Sequence, residues 1–505
     1  AKLEESKRDL SVLEQTEQRS RELAQQLAAD LKEARSFGGG ITEVARTRKN
    51  RLQRAKLMLR EQSEKLRVAG EALRSRFDQC EQVLAQRQDL LSAREVINAA
   101  QRRIEKTKAR GRAAATTPPS GLPSIEVFEM YQAGFYDPPD PLPAVPHGTL
   151  LRYQPIAETA ITSSGIFMRI MYTSETVAGQ PIAVTGVAVL GPINGEWPRA
   201  REPEFPAEGW SILTLGHGTT GINMFCAPSL SLPEDGGRAF DISDVDNVVR
   251  DDGFIVVASD FQGLGTPGGH PYLVGQSAGR NMLDAALAIR QFPGISISTT
   301  TAAAGYSQGG GAALWAGELA ATYAPDLKMI GTVAGAPATE VGALVAGGVA
   351  DPGRAPLSVS IVAGFAIAYP EAAAATDSVL TRNGAALMKT MGEHCFADAI
   401  PMPRPPYLRG DPTTTEPFAG LMTANTPGQA PQASPILIIQ GDADENVPVE
   451  HTATLAARLC ALGDTVERRL LPGKIHQTAQ PAAYQAGIEW LVGLREGASP
   501  TSTCG

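Results

Sequence analysis

The first 117 residues contain no proline and only two aromatic side chains, Phe37 and Phe77. A segment so poor in rings cannot fill a large layered core, and nothing in it bars a long helix. Across all 505 residues there are five cysteines, an odd number and too few for a disulfide scaffold. No run of about 20 apolar residues offers a membrane-crossing helix. The start at Ala1 leads directly into charged sequence and shows no signal peptide. Histidine is scarce as well, with six in the chain, so few groups can serve as a base at neutral pH.

What is present divides in two. Residues 1–114 hold 26 Lys+Arg against 17 Asp+Glu, while the remainder holds 19 against 37. Ala113-Ala114-Ala115-Thr116-Thr117-Pro118-Pro119-Ser120-Gly121 marks the boundary, small residues followed by paired prolines. Before it, Leu3, Leu10, Leu13, Leu23, Leu27 and Leu31 follow a helical pattern that Gly38-Gly39-Gly40 interrupts. Leu52, Leu59, Leu66 and Leu73 then recur every seven residues, continued by Phe77, Leu84 and Leu91. This seam predicts an all-α coiled coil or helical hairpin over 1–117, suited to self-association or tethering. The basic cluster from Arg102 to Arg112 reads as a solvated helix end. Acids alternate with bases throughout and no rings interleave to stack on bases, so no nucleic acid is expected.

Residues 118–505 alternate in the α/β manner. Strands are expected at 182–190, 210–215, 254–260, 299–304, 329–335, 435–440 and 466–471, with helices at about 276–291 and 481–494. Roughly a hundred residues separate the strands at 329 and 435, too many for one crossover. Residues 341–431, rich in Ala, Gly, Val and Pro, predict an inserted, mainly helical cap.

Gly305-Tyr306-Ser307-Gln308-Gly309 stands between a strand of small residues and a helical run. Strand, tight turn and helix around Gly-x-Ser-x-Gly present a serine hydroxyl at the carboxyl end of a sheet. The glycines are needed because side chains there would collide where strand and helix cross. Such a serine needs a base and the base needs an acid. His476 follows the last strand on the same rim and is the base expected, ahead of His147, His217 on the oxyanion side, His270, His394 and His451. Asp444 in Gly441-Asp442-Ala443-Asp444-Glu445-Asn446-Val447-Pro448 is the matching acid, with Asp442 the alternative. An oxyanion requires two backbone N–H donors. Gln308 supplies one, and the loop His217-Gly218-Thr219-Thr220 the other, through Thr219 first and Thr220 second. The chemistry expected is acyl-ester hydrolysis, with a serine peptidase or acyltransferase as the alternative on the same triad. A scaffold with an inert hydrolase domain is the third reading.

These residues, with Phe135-Tyr136-Asp137-Pro138-Pro139, His147-Gly148-Thr149-Leu150-Leu151-Arg152, Cys226-Ala227-Pro228-Ser229 and Asp260…Gly263-Leu264-Gly265, give 125–495 a resemblance to the secretory lipases of yeasts and bacteria. The resemblance implies an α/β-hydrolase fold with a cap, and hydrolysis of lipid or other acyl esters through an acyl-enzyme. It implies no metal and no cofactor, and a possible encounter with a lipid interface. It also implies a disulfide between Cys226 and Cys395, hence an extracellular or periplasmic setting. Cys460 and Cys504 are left without assigned partners, and the helical segment before Pro118 has no counterpart in the resemblance.

Overall fold

The computed structural model describes residues 123–130, 132–156, 165–191, 208–232, 252–396 and 402–504. The coiled-coil and self-association expectations for 1–117 lie outside these residues.

The described strands are β1 (Glu126–Val127), β2 (Leu150–Pro155), β3 (Ile166–Glu175), β4 (Pro181–Leu190), β5 (Trp210–Gly216), β6 (Phe254–Ser259), β7 (Ile297–Tyr306), β8 (Lys328–Gly335), β9 (Ile436–Gly441) and β10 (Val466–Leu471). They form one sheet in the order β1-β2-β3-β4-β6-β5-β7-β8-β9-β10. From β6 to β10 every pairing is parallel, whereas β2, β3, β4 and β6 pair antiparallel. The strands at β2 and β3 were not among those expected. In β2, Arg152 and Gln154 break the apolar pattern, yet both are buried. The entry segment supplies partners: Arg152 donates to Asp137 O at 2.9 Å and pairs with the Glu126 carboxylate at 2.9 Å, and Gln154 donates to Glu129 O and Gln132 O at 3.0 and 2.9 Å.

Four helices pack beside the sheet: α1 (Gly275–Ile289), α2 (Gln308–Tyr323), α8 (Val449–Ala461) and α9 (His476–Arg495). Between β8 and β9, which are hydrogen-bonded neighbours, the chain makes α3 (Val341–Ala350), α4 (Ala355–Ala368), α5 (Pro370–Val379), α6 (Arg382–Met391) and α7 (Phe418–Ala424). These five helices have a core of their own around Leu344, Val359, Phe365, Leu387 and Phe418, separate from the sheet core around Leu213, Val256, Met282 and Tyr306. Burial of such side chains contributes about 1.5–3 kcal/mol each. The last helix begins at His476, five residues before the expected Pro481. Proline within a helix costs one N–H bond, which made it look like a start. No described helix is long and apolar enough to cross a membrane.

Candidate active site

Ser307 sits between β7 and α2 with φ +56° and ψ −117°, a region that side chains other than glycine rarely occupy. Backbone bonds hold it there. Ser307 N donates to Gly335 O at 2.8 Å, and Ser307 O accepts from Ala338 N at 3.0 Å. The crossing beneath is made of bare backbone. A Cβ on Gly309 would lie 1.9 Å from Gly216 O, and one on Gly305 2.2 Å from Gly309 O. Strands β5 and β7 and helix α2 meet there without side chains, so the serine is carried out on the rim.

Asp444 follows β9 and His476 opens α9 after β10. His476 Nδ1 lies 2.7 Å from Asp444 Oδ2. Asp444 Oδ1 accepts from Asn446 N and Val447 N, both at 2.9 Å. The carboxylate is therefore clamped on one oxygen by backbone and faces the imidazole with the other. Its side chain is fully buried, against 12% exposure for His476. Asp442 points elsewhere, accepting from Gly473 N at 2.6 Å.

Tyr306, the residue before the serine, reaches the same histidine. Its hydroxyl donates to His476 O at 2.7 Å, and the two rings lie 5.1 Å apart. The sequence reading did not single out Tyr306, because the x of Gly-x-Ser-x-Gly carries no constraint of its own.

The other histidines are engaged away from Asp444. His147 Nδ1 lies 2.5 Å from Asp284 Oδ1, stacked on Tyr323, and the Asp284 carboxylate raises its pKa. His217 is buried, with its ring nitrogens facing Gly218 O and Asp260 O. His270 is buried between Gln262 and Gln308. His394 belongs to the insertion after α6. His451, half-buried on α8, has a pKa lowered by that burial.

Gln308 opens α2, so its backbone N–H is among the first-turn donors that no helical carbonyl takes up. Its side chain is buried and donates to His270 Nε2 at 2.8 Å. Thr219 lies after β5, and its Oγ1 is 2.7 Å from the Tyr272 hydroxyl. Thr220 O accepts from Phe396 N at 2.9 Å, joining that loop to the insertion.

Cys226 and Cys395 form a disulfide across 169 residues, and Cys460 and Cys504 form another across 44. The first joins the turn before Pro228–Ser231 to the segment that follows α6 within the helical insertion. Buried Asp260 steadies that turn by accepting from Ser229 N at 2.9 Å and from Thr185 Oγ1 at 2.7 Å. Two disulfides fit an extracellular protein.

A family model described as secretory lipase matches residues 247–502. Lipase A of Moesziomyces aphidis is 24% identical over 424 residues, covering 78% of this chain and 87% of that protein. A secreted triacylglycerol lipase of Malassezia globosa is 25% identical over 397 residues, 73% of this chain and 82% of its own. Among solved structures, Candida antarctica lipase A in its closed state superposes with a TM-score of 0.61 at 20% identity, covering 74% of this chain and 88% of that one.

Proposed function

This chain belongs to the secretory lipase family, and from that membership we propose that it hydrolyses carboxylic esters through Ser307, with His476 as base and Asp444 as the acid that orients it. It is a lipase-type hydrolase. The observation that carries the residue assignment is the 2.7 Å bond from His476 to Asp444, with His476 anchored by Tyr306 next to Ser307.

The geometry supports a two-step reaction. With Nδ1 donating to the carboxylate, His476 Nε2 is left as the proton acceptor. Ser307 Oγ attacks the ester carbonyl carbon, its proton passes to Nε2, and the carbonyl electron pair moves onto oxygen. The N–H groups of Gln308 and Thr219 receive that charge, helped by the N-terminus of α2. Collapse breaks the bond to the alcohol, which leaves with the proton from Nε2. Water then attacks the acyl-serine by the same route and releases the acid.

The five-helix insertion is read as the cap over this site, and its apolar composition supports an acyl chain as the bound group. The Malassezia globosa relative is by name a triacylglycerol lipase, and an acylglycerol is the substrate class proposed here. The two disulfides and the secreted relative support a setting outside the reducing cytoplasm. In the test, Ser307→Ala should abolish p-nitrophenyl ester hydrolysis and fluorophosphonate labelling while leaving thermal unfolding native-like. Retained turnover would remove Ser307 from the mechanism.

A further inference from the structure

The loop from Phe261 to Val274 holds none of the three proposed triad residues, yet it touches both residues proposed as oxyanion donors. Its backbone is unusually constrained. Phe261 and Leu273, neither of them glycine, have φ of +69° and +56° at its two ends, strained positions that persist only where surrounding structure fixes them. A Cβ on Gly263 would lie 1.9 Å from Gly269 O, so the two limbs of the loop press backbone to backbone. Helix α1 holds the base: Ser277 Oγ donates to Gln262 Oε1 at 2.8 Å, and Asn281 Oδ1 accepts from Gln262 N at 2.8 Å.

From this frame His270 and Tyr272 project. His270 Nδ1 faces Gln262 O at 2.9 Å. A carbonyl only accepts, so Nδ1 carries the proton and Nε2 offers a lone pair. Gln308 Nε2 donates to that lone pair at 2.8 Å. Burial lowers the His270 pKa to about 3, so this acceptor persists at neutral and alkaline pH. Two residues on, the Tyr272 hydroxyl lies 2.7 Å from Thr219 Oγ1. Cap helix α4 rests on the same tyrosine, since a Cβ on Gly364 would lie 2.4 Å from Tyr272 N.

We propose that the loop Phe261–Val274 is a positioning element for the oxyanion donors, holding Gln308 through His270 and Thr219 through Tyr272. The inference rests on the reading of Gln308 and Thr219 given above. Its physical basis is preorganisation: backbone donors stabilise an oxyanion only when already aimed at it, and a locked side chain on the same Cα restricts their aim. His270 and Tyr272 are positioning residues, because they act through their partners.

Tyr272→Phe in the full chain removes one oxygen and keeps the ring. His270→Phe removes the acceptor, and His270→Gln returns a carbonyl oxygen near the place of Nε2. The readouts are p-nitrophenyl butyrate turnover and inhibition by a trifluoromethyl ketone. Ser307 Oγ bonds to the ketone's carbonyl carbon, the serine proton passes to the imidazole, and the carbonyl electron pair moves onto oxygen to give a tetrahedral oxyanion. Removal of a direct donor costs 10²–10³ in kcat, and loss of a partner that only aims it should cost about tenfold. Tyr272→Phe and His270→Phe should each lower kcat by about that factor with KM within about twofold. Ketone affinity should fall in parallel, and His270→Gln should recover most of the loss. A structural defect alone would not link kcat to oxyanion affinity. A Tyr272→Phe variant with wild-type kcat, or with lower kcat and unchanged ketone affinity, overturns the proposal. Should His270→Phe fail to fold, Tyr272→Phe decides alone. Retained turnover in Ser307→Ala would instead overturn the underlying assignment, so the two failures are distinguishable.

Discussion

Replacing Asp444 with asparagine exchanges one oxygen for an NH2, and the neighbouring backbone decides which way the amide turns. Asn446 N and Val447 N both donate to Oδ1 at 2.9 Å. An amide satisfies them only with its carbonyl oxygen in that place, which points the NH2 at His476 Nδ1. Two donors cannot face each other, so Nδ1 gives up its proton and Nε2 takes it. The base is then in the wrong tautomer to receive the serine proton. Turning the amide over would abandon the bond from Asn446 N, about 1 kcal/mol, and strand the buried Val447 N–H at about 1–3 kcal/mol. The productive tautomer is thereby disfavoured by about 2–4 kcal/mol, and the charge that stabilises the imidazolium is also lost. We expect kcat/KM for p-nitrophenyl butyrate to fall at least about 10³-fold, equivalent to about 4 kcal/mol. Near-UV circular dichroism should remain native. Asp442→Asn is the control and should stay within about threefold, since its carboxylate accepts from Gly473 N, away from His476. An Asp444→Asn enzyme with more than a tenth of wild-type kcat/KM would refute this reasoning. A loss confined to Asp442→Asn would move the role to that residue.

Other perturbations test the scaffold. Replacing Cys226 and Cys395 together by alanine opens a 169-residue loop and should cost about 2–5 kcal/mol in guanidinium unfolding; an unchanged midpoint would contradict this. His147 gains stabilisation chiefly from its bond to the Asp284 carboxylate, which raises its pKa. That stabilisation is full below the unfolded value of about 6.5 and is lost as pH rises through the higher folded value. The gap in melting temperature between wild type and His147→Gln should therefore be wide near pH 5.5 and narrow near pH 9, and an equal gap at both would sink the argument. Gly309→Ala sets a Cβ 1.9 Å from Gly216 O and should cost more than about 3 kcal/mol, read as lost soluble yield or a lowered melting temperature.

The parallel half of the sheet was legible because its strands are buried on both faces and show as unbroken apolar runs such as Phe254–Ser259 and Ile436–Gly441. The elbow was legible for a steric reason, since Gly305 and Gly309 answer to contacts that leave no space for a Cβ. The antiparallel strand β2 was hidden because Arg152 and Gln154, buried in it, find their partners in an entry segment with no strand or helix periodicity. The start of α9 was hidden by Pro481. His270 and Tyr272 could not be read ahead, because one depends on a backbone carbonyl eight residues away and the other on a loop 53 residues distant. Such partnerships exist only once the chain has closed on itself.

The Cys226–Cys395 bond makes a closed circuit of chain that includes β6, β7, α2, β8 and the first four helices of the insertion, with Ser307 inside it. A protease that cuts once anywhere on this circuit produces two pieces that still migrate as one molecule. The nicked ends stay within reach of their native neighbours, and Asp444 and His476, which lie outside the ring, lose no covalent link to the serine. A single clip in an exposed turn of the insertion is thus a local injury. On a gel, the cut should be visible only after reduction.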